Sequence, residues 1–224
     1  MDGNKYILIR FNHELIHSTN LVNQGEIYFS KISDWTSNPE RGDKYETIVS
    51  YKEIESGSIL TIFKGDKEIK ISVAKGQMVT KIEDIGYACS FYLLNLKNHK
   101  IDENFKLPTE MQKYGKTCVI IFNPEEFINL CRKHFESIGI PLFYQKVNYN
   151  LPINFNDKDI FTKHEDFAIE QEFRFYIPCE KIDKRIFSIG PIKSFSIVLE
   201  DYLSAVLKFA PTSLYPDANP SIIV

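Results

Sequence analysis

Short apolar runs broken by polar punctuation dominate the chain, and their spacing predicts mostly strands. Residues 6–11 form a β-rich run. Asn12 is placed to cap a helix reaching about residue 23, with His13 and Glu14 in its first turn and Leu15, Leu21 and Val22 as apolar positions. Gly25 closes that helix, and residues 26–30 read as the next strand. Residues 31–45 read as a polar loop. Strands are expected at 46–52, 59–64 and 68–73, the last two joined by a Gly65-Asp66 hairpin turn. The most apolar runs, 86–94 and 117–122, are the expected centre of a sheet. Asn123, Pro124, Glu125 and Glu126 spell a helix start: a cap, a proline, then acids at the positive helix end. That helix should run to about residue 135. Further strands are expected at 143–149, 169–177, 185–189 and 194–199, with 150–167 as a polar connection. The expected architecture is a single α+β domain over residues 1–209, mainly β-sheet with a few helices, and an irregular tail over 210–224.

Composition narrows the class. Of 224 residues, 43% are hydrophobic and 25% charged, as in an ordinary globular protein with room for a real core. The 27 Lys and Arg against 30 Asp and Glu give a net charge of −3, so general nucleic-acid binding is not expected. No apolar run is long enough to span a membrane, and residues 1–11 lack the pattern of a signal peptide. Cys89, Cys118, Cys131 and Cys179 form no C-x-x-C pair, and Cys89 and Cys118 sit in apolar runs, so a reducing cytoplasmic setting is expected. His13 and His17 stand four residues apart with no third ligand nearby, so no metal site is expected.

Three stretches carry candidate chemistry. Strand alternation over 169–177 puts Ile169, Gln171, Phe173, Phe175 and Ile177 on a core face, and Glu170, Glu172, Arg174 and Tyr176 on the other. Two carboxylates two residues apart, about 7 Å, repel by about 2.4 kcal/mol at an effective dielectric of about 20. Either a cation such as Arg174 relieves them or a cleft uses them. The loop after residues 27–30 gathers Trp35, Arg41, Asp43 and Glu46, and loops after strands commonly carry sites. In 87–92, Ala88, Ser90 and Tyr92 share a face, where a hydroxyl and a ring can position a polar aromatic ligand. Arg10 shares a face with Tyr6 and Leu8. An arginine there needs an anion, either a carboxylate of the chain or a ligand phosphate.

Taken in order, these stretches resemble the bacterial and phage family called domain of unknown function 2971. The resemblance rests on residues 27–30 with Asn38, Pro39 and Glu46, on Lys113-Tyr114-Gly115 before an apolar strand, and on Lys163 followed by Glu170-Gln171-Glu172-Phe173-Arg174. A weaker resemblance is to ADP-ribosyltransferases, carried by Arg10, then Ser90 or Tyr92, then Glu170-Gln171-Glu172. It implies that Arg10 holds an NAD pyrophosphate or ribose and Tyr92 packs on nicotinamide. It also implies that Glu172 stabilises an oxocarbenium-like transition state and that Glu170 orients or deprotonates the acceptor. Cys89-Ser90-Phe91 stands where the arginine-specific branch carries Ser-Thr-Ser.

Two readings follow. One is an ADP-ribosyltransferase-like enzyme using NAD, acting in phage–host conflict, with Arg10, Tyr92 and Glu172 converging on one aromatic cleft. The alternative is a non-catalytic module binding a partner protein or a nucleotide signal, with its carboxylates paired to arginines. A third, a metal-dependent nuclease using Asp43, Glu46, Glu170 and Glu172, would need a lysine in the cleft and a divalent cation.

Overall fold

The computed structural model describes residues 6–36, 45–64, 67–73, 75–82, 86–98, 104–178, 182, 185–209 and 222–223. Along the chain come β1 (Tyr6–Asn12), α1 (Leu15–Gln24), β2 (Glu26–Tyr28), β3 (Ser30–Lys31), α2 (Ile32–Thr36), β4 (Ile48–Ile54), β5 (Ser58–Lys64), β6 (Lys67–Val73), β7 (Gly76–Lys81) and β8 (Tyr87–Asn95). There follow β9 (Asn104–Phe105), β10 (Thr117–Ile121), α3 (Pro124–Ser137), β11 (Phe143–Lys146), β12 (Glu172–Ile177), β13 (Ile186–Ser188), β14 (Ser196–Leu199), β15 (Leu207–Phe209) and β16 (Ile222–Ile223). The result is a mostly-β α+β domain.

An antiparallel sheet in the order β11-β12-β8-β1-β10-β14 organises the molecule, with β3 pairing to part of β8. The two most apolar runs of the sequence form β8 and β10, on either side of β1, as their composition predicts. One sheet face carries Leu8, Phe91, Val119, Phe173 and Phe175 and packs on residues of α1 and α3 such as Leu21 and Phe127. The other carries Ile7, Ile9, Tyr92 and Ile120 and is covered by Met111, Tyr202 and Leu207. The helix start at Asn123 is as expected: its side chain accepts from the Glu126 N–H at 3.1 Å, and α3 runs to Ser137.

Several elements depart from the sequence pattern. Asn12 does not cap α1. It is the last residue of β1, held there by pairing with Thr117, and its side chain donates to Ser18 Oγ at 2.9 Å. Helix α1 therefore begins at Leu15, and His13 precedes it. The run 26–30 splits into β2, paired with β13, and β3, paired with β8. The polar loop after it holds the short helix α2. Beyond the expected β5–β6 hairpin lies a second ladder, β4 with β7, that the spacing does not predict. The largest change is at 169–177: β12 starts only at Glu172, while Glu165–Glu170 is a 3-10 turn closed by Gln171 in the left-handed region, φ 39°. Ile169 is accordingly exposed rather than in the core. Within 210–224, the described residues Ile222 and Ile223 form β16 against β15, so that pair is not irregular.

Candidate functional site

The ladder between β1 and β8 ends at Ile9 opposite Tyr92. Past that point Arg10, Phe11 and Asn12 stay paired to β10, while residues 87–91 stay paired to β12. The sheet forks, and a cavity of about 680 Å³ opens at the fork. Arg10, Ser90, Tyr92 and Glu172 line it, as do Trp35 and Tyr114. The Arg10 guanidinium donates through Nη1 to the Ser90 carbonyl and lies over the Phe91 ring, 5.7 Å from its centroid. Among the described residues no carboxylate pairs with it. The sequence left open whether a carboxylate of the chain meets Arg10; within the described residues, none does.

Beneath the cavity lies a buried charge cluster. Arg174 is fully buried, and Glu46, Lys163, Glu170 and Glu172 are each at most 5% exposed. Arg174 donates through Nε to Glu172 Oε1 at 2.6 Å and through Nη2 to Glu172 Oε2 at 3.0 Å. The same guanidinium reaches Glu46 at 2.7 and 3.0 Å and the Ile160 carbonyl. Lys163 Nζ sits 2.8 Å from Glu170 Oε2, 2.8 Å from Glu172 Oε2 and 3.3 Å from Glu46 Oε1. Glu170 is further held by Lys113 at 2.8 Å and by the Tyr114 hydroxyl at 2.5 Å. Ser90 donates its hydroxyl to Glu172 Oε1, and the Glu172 N–H donates to the Tyr149 hydroxyl at 2.7 Å. The Trp35 ring covers the Arg174 guanidinium at 5.2 Å, and its indole N–H reaches Ser30 Oγ at 2.5 Å.

Burial alone would raise the carboxyl pKa values of Glu46 and Glu172, but the charges of Arg174 and Lys163 overcome it and hold both below the ordinary range. Against the same burial penalty, the carboxylates lift Lys163 and Arg174 well above theirs. Three carboxylates (Glu46, Glu170, Glu172) meet three cations (Lys113, Lys163, Arg174), so the cluster is neutral as built.

The repulsion expected between Glu170 and Glu172 is thus relieved by cations, though not on one strand face, because Glu170 reaches the cluster from the 3-10 turn. Residues from four separate stretches of the sequence converge here: Trp35 and Glu46, then Ser90, then Tyr114, then Glu170, Glu172 and Arg174. Tyr92 lines the cavity but is 4% exposed, its ring edge-on to Phe11 at 6.2 Å. Arg41 and Asp43 lie outside the described residues, as do Asn38, Pro39, the Gly65-Asp66 turn and Cys179. Lys113 and Lys163, which the sequence marks only as motif positions, are members of the site. So is Tyr149, for which the sequence gives no signal. Among the described residues no group of three or more His, Cys, Asp or Glu could hold a metal. No described helix is long and apolar enough to cross a membrane.

No known protein-family model matches this chain, and neither the curated proteins nor the solved structures contain a match.

Proposed function

We propose that this protein is a recognition module that binds a nucleotide in the fork between β1 and β8. One observation carries the reading: Arg10 presents a guanidinium without an acidic partner, among the described residues, to a cavity lined with aromatic rings. A guanidinium takes a phosphate through paired N–H donors, and a partly desolvated one without an anion is costly. The cavity volume falls within the range of small-ligand sites. Trp35 and Tyr28 supply ring surface for a base. Glu170 and Glu172, the carboxylates that the charge cluster presents to the cavity, are already matched by cations, which suits a binding wall better than a reacting one. Calorimetry with ADP and NAD tests this: saturable binding that Arg10→Gln weakens is expected. Absence of binding at millimolar nucleotide would overturn the reading.

One contact chain favours a second reading, an ADP-ribosyltransferase-like enzyme using NAD. Arg10 bonds the Ser90 main chain and Ser90 bonds Glu172, all three on the cavity wall and in the chain order that the resemblance implies. Arg10 fits a pyrophosphate. Glu172 does not fit the ribose role as built, because Ser90, Lys163 and two nitrogens of Arg174 occupy its two oxygens. Nicotinamide release by wild type that disappears in Glu172→Gln, with NAD binding retained, would favour the enzyme. No release alongside intact binding is what the module reading expects.

A further inference from the structure

The cavity holds a second charged group, of opposite sign to Arg10, whose bonding among the described residues is incomplete. His17, Asn20 and Leu21 follow one face of α1, and Glu26 follows just past its C-cap Gly25; all line the cavity, which therefore runs alongside the helix. Ten residues of helix span about 15 Å. Glu14 and Asp34 also line it, but both are solvent-exposed, and Asp34 pairs with Arg185 at 3.2 Å. Glu26 is half-buried, and its one partner among the described residues is Asn20, whose Nδ2 donates to Oε2 at 2.8 Å. Among the described residues nothing bonds Oε1, and Oε2 keeps a second lone pair. A ligand in this cavity meets both a guanidinium, Arg10, and a carboxylate acceptor, Glu26.

Resting on the nucleotide reading above, the geometry points to a guanine nucleotide, with its phosphates on Arg10 and its base edge on Glu26. Guanine offers two adjacent donors, N1–H and the 2-amino group, to the two oxygens of a carboxylate. Adenine offers a donor beside an acceptor, which leaves one carboxylate oxygen facing a ring nitrogen lone pair. Asn20 holds the Glu26 carboxylate in place, and Trp35 and Tyr28 flank the cavity as ring surfaces.

Trp35 is the single tryptophan and lines the cavity, so its fluorescence reports binding. Titrations of the intact protein with GDP, IDP, ADP and guanosine separate the parts. GDP is expected to bind about tenfold or more tighter than ADP, the discrimination of one bidentate pair, with IDP, which lacks the 2-amino group, in between. Glu26→Gln should remove most of the GDP preference, and Arg10→Gln should weaken GDP and ADP alike while leaving guanosine unchanged. Equal affinity for GDP and ADP overturns the guanine assignment and leaves the nucleotide reading standing. Failure of every nucleotide to bind overturns both. If Glu26→Gln does not fold, the wild-type ranking of GDP, IDP and ADP still decides the matter.

Discussion

Lys163 stands where three carboxylates would otherwise repel one another. Its ammonium donates to Glu170 and lies within ion-pair distance of Glu46 and Glu172. Arg174 cannot replace it, because that guanidinium is committed to Glu46, Glu172 and the Ile160 carbonyl. Removing one partner of a buried pair commonly costs about 3–5 kcal/mol, since the remaining charge stays buried. Lys163→Met should therefore lower unfolding stability at pH 7 by about that much in urea titrations. The loss has a signature that simple packing damage lacks. Without the lysine, Glu46 and Glu172 bind protons more readily, so the gap between wild type and variant should narrow from pH 7 to pH 5. A gap of constant size would assign Lys163 a packing role only.

The charge cluster depends on elements that arrive from distant parts of the chain, and Gly115 shows how closely they fit. It follows Tyr114 in the 3-10 turn, has φ 129°, and packs backbone to backbone against the end of β1. A Cβ built there would lie 1.9 Å from the Asn12 carbonyl oxygen. Gly115→Ala should cost about 2–4 kcal/mol through strain and displacement of β1. In the same titration, Asn123→Ala, which removes only the cap of α3, should cost about 1 kcal/mol. A Gly115→Ala loss no larger than the cap's would contradict the close approach. These two positions also mark what could be read from sequence. Asn123-Pro124-Glu125-Glu126 is a local code, and the helix it announces is where it should be; so are β8 and β10, whose apolar runs suit only a sheet interior. The end of β1 departs from the local pattern because a distant strand, through Thr117, outweighs the local capping preference of Asn12. The start of β12 departs from it because one left-handed glutamine, Gln171, interrupts a pattern that otherwise alternates well. In the site, Arg10 was legible as a cation in need of an anion, and Glu170, Glu172 and Arg174 as a charge group. That Glu46, Lys113 and Lys163 complete the group is a fact of tertiary structure, and spacing along the chain does not encode it.

For the molecule as a whole, the buried cluster fixes how stability responds to pH. Glu46 and Glu172 have folded pKa values lowered from 4.5. Each contributes stability that is fully present above that unfolded value and is lost as pH falls through the lowered folded one. Lys163 is raised from 10.5, so its contribution is fully present below that value and is lost as pH rises through the raised one. Between these limits all three groups keep their charge in both states and add no pH dependence. The cluster should therefore leave thermal unfolding flat across a pH series from about pH 5.5 to about pH 9.5. Below about pH 4 the midpoint should fall steeply, because the unfolded chain takes up protons that the paired carboxylates of the folded cluster do not. Arg174→Met makes the expectation sharper. With the guanidinium gone, Glu46 and Glu172 lose their strongest stabilising charge, and their folded values rise towards and past the unfolded ones. The steep acid fall should then disappear, and stability should instead increase on acidification from neutral pH. An unchanged acid limb in Arg174→Met would show that acid unfolding is governed elsewhere in the molecule.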